Sequence, residues 1–251
     1  MATRAMPKIL FTVDFDADVA SDIHPFAGWQ WLMGHSFNKR DDFRAAVNFV
    51  GSGLERIIAD NDIYQPIRAL VASKRIFIGN HTWDHPSFTG EYTSTPPLSR
   101  AEQADQLLTA HEFITEHIGP PIFFRAPFFN YDHNTLQLTA QLGIRYDLSN
   151  YIREAEFASV WPYEYMLPTN EVLVRIDTNL KLSPLEWVEP IASWPGIKLK
   201  GGELYNIIVH PREFSEPEQA DEMRRGLKRL INLKVEFIGP DEIDEMLYAG
   251  F

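Results

Sequence analysis

Two periodicities alternate along the chain. Short apolar runs rich in β-branched and aromatic residues predict strands at Lys8 to Asp16, Phe43 to Val50, Arg75 to Asn80, Ile122 to Ala126, Arg145 to Ser149, Glu171 to Asp177, Tyr205 to His210 and Val235 to Ile238. Several are apolar at nearly every position, as strands covered on both faces should be. Stretches with helical spacing lie between them. The clearest predicts a helix from about Arg100 to His117, opened by Ser99 and Glu102 as a capping box, closed by Gly119, with Leu107, Leu108 and Ile114 on one face. A second, about Glu216 to Asn232, opens on Ser215 and Glu218 and carries Met223, Leu227, Leu230 and Ile231 as its stripe. Strand and helix in turn, without an internal repeat or a Gly/Ser linker, predict an α/β fold of βα units around a parallel sheet, a barrel or incomplete barrel. The segment Ala17 to Asp42 breaks this rhythm. It reads as a long loop carrying Phe26, Trp29, Trp31 and Phe37, and long loops in compact domains tend to be functional.

A chain of 251 residues, 45% hydrophobic, can fill one sizeable core, so a single domain over 1–251 is the simplest organisation. With 35 acidic and 23 basic side chains the formal charge is -12, which argues against nucleic acid or an anionic membrane as partner. There is no cysteine, so any metal must be held by His and carboxylate. No stretch approaches the ~20 apolar residues of a membrane span. Met1 to Pro7 lacks the features of a signal peptide, which predicts a cytoplasmic protein if that start is natural; a chain trimmed of its leader would look the same and be secreted.

Four clusters could carry chemistry. The first strand ends in Asp14, Asp16 and Asp18, which period two places on one face. Three such carboxylates require a cation or a retained proton, unless they are a solvated strand end. After the third strand come His81 and His85, a spacing that lets two imidazoles meet one metal, although a surface pair has the same spacing. Arg125 ends an apolar strand before Pro127 and must be paired or solvated, and a nearby carboxylate such as Asp147 could pair with it; a structural Arg fits the sequence as well. His210, followed by Pro211, ends another strand and reads as a catalyst or as a satisfied structural residue. Their joint placement shifts the balance. All lie at or just after the carboxyl ends of predicted strands, where parallel α/β folds assemble active sites.

On these residues the chain resembles the polysaccharide deacetylase family (NodB-like, carbohydrate esterase family 4), whose members include allantoinase-like proteins. The resemblance runs in motif order through Thr12-Val13-Asp14-Phe15-Asp16, Ala45 to Gly51, Asn80-His81-Thr82-Trp83-Asp84-His85, Arg125-Ala126-Pro127 and Ile208-Val209-His210. It implies a distorted (β/α) barrel of about seven strands and a divalent metal, most often Zn2+. Carried over by position, it makes Asp16, His81 and His85 the metal ligands, Asp14 the general base and His210 the general acid. Arg125 would orient Asp14, and the backbone N–H near Phe128 would help hold an oxyanion. Phe15 between Asp14 and Asp16 departs from the family's adjacent pair and is similar to its intracellular peptidoglycan-deacetylase-like and allantoinase-like branch.

The expected activity is therefore removal of acetyl groups from N-acetylated sugars, with hydrolysis of a cyclic amide and a non-catalytic binding module as alternatives. The expected partner is a carbohydrate or small amide. Trp29, Trp31, Trp83, Phe128 and Tyr131 could stack on a sugar ring or simply pack. Exposed aromatics of the long loop could equally serve contacts in a homo-oligomer.

Overall fold

The computed structural model describes residues 5–16, 25–91, 93, 95–152, 159–178, 180–181, 199–217 and 219–249. In chain order the elements are β1 (Lys8–Phe15), α1 (Pro25–His35), β2 (Ala45–Phe49), α2 (Gly51–Ile58), α3 (Asn61–Ala72), β3 (Ile76–Asn80), α4 (Arg100–His117), β4 (Phe123–Phe124), α5 (His133–Gln141), β5 (Tyr146–Asp147), β6 (Tyr163–Met166), β7 (Val172–Arg175), β8 (Leu180–Lys181), β9 (Leu204–Val209), α6 (Ala220–Asn232), β10 (Glu236–Phe237) and α7 (Pro240–Ala249).

The strands form one sheet in the order β6-β7-β5-β4-β3-β2-β1-β9-β8, with β10 added beside the start of β1. Every pairing is parallel except β6 with β7. The sheet curls back on itself. Beyond β7, Ile176 and Thr178 still donate to the carbonyls of Asp147 and Asn150, and β8 then runs along β9 at the other end of the strand order. The result is the distorted barrel expected from the sequence.

Period two sorts each central strand into an outer and an inner row. Ile9, Phe11, Val13 and Phe15 of β1, Val47 and Phe49 of β2, and Tyr205, Ile207 and Val209 of β9 join one buried cluster with the surrounding helices. The alternate residues face the barrel interior. At its amino end Leu10, Ala46, Phe123 and Leu204 pack with Ile243, Met246 and Leu247 of α7, which plugs the bottom. Above them the interior turns polar, with Thr12, Asn48, Asn206, Arg125 and Thr178 all fully buried. A polar layer at this depth is tolerable only if its members bond one another.

The helix from Arg100 to His117 has the expected capping box, Ser99 N–H donating to Glu102 Oε2 at 2.7 Å. Its buried face is Gln103, Leu107, Ala110 and Ile114; Leu108, expected inward, is 45% exposed, because it lies about 100° around the helix from Leu107. The second expected helix begins at Ala220 rather than Glu216, and its stripe is buried as expected. Of its expected cap, Ser215 donates to the Arg212 carbonyl instead, and Glu218 lies outside the described residues.

The segment expected to be a long loop contains α1. Phe26, Trp29 and Leu32 of that helix and Phe37 after it are buried, and the Phe15 ring meets Trp29 at 5.0 Å and Phe49 at 6.0 Å. This explains the residue between the two strand-end carboxylates. Phe15 faces the helix layer while Asp14 and Asp16 face inward. No described helix is long and apolar enough to cross a membrane.

Candidate active site

The inward row of β1 ends in Asp14 and Asp16, 2% and 6% exposed, at the carboxyl end of the barrel. Asp18, the third expected carboxylate, lies outside the described residues. His81 follows β3 and His85 follows a turn in which Thr82 and His85 both adopt left-handed backbone angles, φ 70 and 59. Such angles cost a non-glycine residue of order 1–3 kcal/mol, so the surrounding structure must hold them. Thr82 N–H donates to Asn80 Oδ1 at 2.8 Å, and His85 N–H to Thr82 Oγ1 at 3.1 Å.

These turns bring His81 Nε2 to 3.3 Å and His85 Nε2 to 3.7 Å from the same oxygen, Asp16 Oδ1. The three ligand atoms available from Asp16, His81 and His85 all lie within 4.8 Å of one another. Asp16 Oδ1 is buried and receives no hydrogen bond. An orphaned carboxylate oxygen at this depth is costly unless a cation meets it. His81 Nδ1 lies 2.6 Å from the Arg125 carbonyl, an acceptor only, which fixes the proton on Nδ1 and leaves the Nε2 lone pair facing Asp16. Two neutral imidazole nitrogens and one carboxylate suit a divalent ion such as Zn2+, and this donor set leaves positions open. The residues present therefore fit the metal implied by the family resemblance.

Arg125 is fully buried at the head of the polar layer. Its Nε donates to the Leu148 carbonyl at 3.1 Å, Nη1 to Thr12 Oγ1 and Asp14 Oδ1, both at 2.9 Å, and Nη2 to Thr178 Oγ1 at 3.0 Å. Its carboxylate partner is thus Asp14, not Asp147. The correction follows from register. Asp147 is aligned with Phe124 on one side and Arg175 on the other, a row facing outward, whereas Arg125 is one residue further and faces inward. Asp147 accepts from Arg175 Nε at 2.9 Å, and Arg175 lies between the rings of Tyr131 and Tyr165, at 5.2 and 4.4 Å. Tyr131 and Asp147 therefore belong to a buried ion-pair cluster outside the barrel interior.

His210, at the end of β9, has its Nε2 3.7 Å from Asp16 Oδ2. Its Nδ1 lies 3.0 Å from Glu213 Oε1, and its own N–H donates to Glu213 Oε2 at 2.9 Å. Glu213, 3% exposed, had no role in the sequence reading. Its spacing three residues after His210, with Pro211 opening a tight turn, was the available signal.

The electrostatics separate the groups. Burial would raise the Asp14 carboxyl, but the Arg125 guanidinium, helped by His81 and His210, holds it below the usual carboxylate range. Burial likewise opposes ionisation of Asp16, and the three histidines around it carry it well below that range. His81 is raised against its burial by the Asp14 and Asp16 carboxylates beside it. Burial pulls His85 down to about 4, so it is a neutral ligand at pH 7. His210 is also penalised by burial, but the Glu213 carboxylate outweighs that and lifts it to about 9, leaving it protonated.

Phe128 sits on a turn after β4 where it and Phe129 both have φ 57. Its ring stands 4.7 Å from His85 and is 43% exposed, a solvent-facing apolar edge beside the expected ligands. Trp83 is elsewhere. Its indole lies edge-on to Phe113 of α4 at 5.4 Å and covers Gly51, where a β-carbon would stand 2.3 Å from the ring. It packs against the helical layer, the second of the two roles its sequence position allowed. Trp29 is core, and Trp31 stacks between His35 and Phe214 at 4.1 and 5.3 Å.

The sequence profile of the family described as Polysaccharide deacetylase matches residues 39–146, which include His81, His85 and Arg125. The chain is 27% identical over 165 residues to the peptidoglycan deacetylase-like protein FGM2 of Gibberella zeae, a match covering 58% of this chain and 44% of that protein. The chain thus spans less than half the length of that relative. Among solved structures it is similar to a polysaccharide deacetylase from Mycobacterium smegmatis (TM-score 0.71, 19% identity, 100% of this chain and 93% of that one). It is similar also to Puue allantoinase (TM-score 0.68, 14% identity, 99% and 92%).

Proposed function

We propose that this chain, which matches the polysaccharide deacetylase family profile over residues 39–146, is a NodB-like, metal-dependent hydrolase that removes acetyl groups from N-acetylated sugars. The observation that carries this reading is Asp16 Oδ1, buried without a hydrogen bond between two imidazole nitrogens, with Asp14 on one side and His210 on the other.

A divalent ion held by Asp16, His81 and His85 would polarise the acyl oxygen and acidify the attacking water. Asp14, kept ionised by Arg125, takes the proton from that water as its oxygen attacks the acyl carbon. The C–N bond then breaks, and His210, kept protonated by Glu213, gives its Nε2 proton to the departing amine. Both titratable groups thus rest in the form their step requires. The family resemblance gives the backbone N–H near Phe128, on the turn with left-handed φ, the task of helping hold the developing oxyanion.

The test is product analysis on two substrate panels, N-acetylglucosamine oligomers assayed for acetate and cyclic amides assayed for ring opening. Acetate from the first panel supports the reading. Ring opening with no acetate replaces it with an allantoinase-like activity, and turnover on neither leaves a binding module.

A further inference from the structure

We propose that Asn48 is a positioning residue for Asp14, and that Oδ2 is the one Asp14 oxygen that accepts the proton; this rests on the hydrolase reading above. Asn48 is a fully buried amide in the otherwise apolar strand β2, Ala45–Phe49. A polar side chain there, with an apolar alternative costing nothing in strand propensity, calls for a reason. Its Nδ2 donates to Asp14 Oδ1 at 2.8 Å, directly across the β1–β2 register. Arg125 Nη1 donates to the same oxygen at 2.9 Å. Two donors reach Oδ1, one from β2 and one from the residue that follows β4, and the carboxylate cannot rotate about its terminal torsion without breaking both. Oδ2 is left turned towards His81, one of the expected metal ligands, 3.7 Å from its Nε2. Arg125 neutralises Asp14, and Asn48, which carries no charge, fixes its plane.

A second observation shows that the fold makes room for this amide. Gly79 of β3 is aligned with Asn48, and a β-carbon on it would stand 2.0 Å from Asn48 Oδ1 and 3.2 Å from its Cα. The glycine is therefore what lets the amide lie flat against Asp14. Asn48 Oδ1 itself receives no hydrogen bond, so its carbonyl is tolerated for the sake of the donor on its other arm.

The pairing of Asn48 with Gly79 provides the experiment. Steady-state kinetics, metal content and thermal midpoint are measured for wild type, Asn48→Ala, Gly79→Ala and the double variant. Asn48→Ala removes the two closest atoms that the methyl of Gly79→Ala would meet and leaves only the 3.2 Å approach to the Cα of residue 48, so the double variant should recover most of the thermal midpoint lost in Gly79→Ala. If Asn48 only packs, kcat recovers with it. If Asn48 positions Asp14, the double variant keeps its metal and its KM within about twofold while kcat stays roughly 10- to 100-fold down. An active wild type whose double variant regains kcat overturns the role of Asn48 alone. A wild type that turns over no amide overturns the hydrolase reading and this inference with it.

Discussion

Gly28 of α1 lies directly against Pro211. A β-carbon on Gly28 would stand 1.7 Å from the Pro211 carbonyl oxygen and 3.3 Å from Ser215 Oγ. The helix thus supports the turn that follows His210, and the stack of Trp31 on Phe214 seals the same contact. Gly28→Ala should push that turn away, costing roughly 1–3 kcal/mol by overpacking. Urea denaturation measures the stability, and kcat should fall with metal content unchanged, because His210 moves and the ligands do not.

Glu213 sets the proton affinity of His210. Its carboxylate raises the imidazole above the ordinary histidine value of 6.5 to about 9, so a step needing protonated His210 is lost as pH rises through that range. Glu213→Gln removes the charge and lowers that value, which moves the alkaline limb of kcat down by about one unit or more. The same pairing stabilises the fold at pH below the ordinary histidine range and is lost as pH rises through about 9. A kcat–pH profile of the two proteins reads the shift.

Asp147 and Arg175 form a buried pair apart from the chemistry. Asp147→Ala should destabilise by about 3–5 kcal/mol, because it strands a guanidinium between two tyrosines. Adding Arg175→Met should recover much of that loss in urea denaturation. Metal content should be unaffected in both, which it would not be if Asp147 partnered Arg125.

Strand-end chemistry was legible in the sequence because parallel strands deliver their carboxyl ends to one place. Asp14, Asp16, His81, His85, Arg125 and His210 needed only that rule to be grouped. Strand periodicity alone pointed Arg125 to Asp147 and only the family resemblance pointed it to Asp14, since the partner depends on which residues share a row across β4, β5 and β7, and a one-residue offset reverses the facing. Asn48 was visible as a polar residue in an apolar strand, but what it bonds is set by the β1–β2 register. The helix α1 was hidden because Pro25–His35 is apolar around most of its circumference, holds two glycines and shows no acidic first turn. The antiparallel β6 and the two-residue β8 carried no periodic signal of their own.

His81→Ala and His85→Ala should each remove metal and turnover together. In the wild type, zinc at a hundredfold excess over its Kd should stabilise the fold by about 2.7 kcal/mol, seen as a higher thermal midpoint. Neither variant should respond to the same addition.

The most direct test of the account is the zinc stoichiometry of the purified chain, measured together with acetate release from N-acetylglucosamine oligomers before and after chelation and again after zinc is restored. The account predicts close to one ion per chain, loss of acetate release on chelation and its return with zinc. Acetate release that survives complete removal of metal would contradict it.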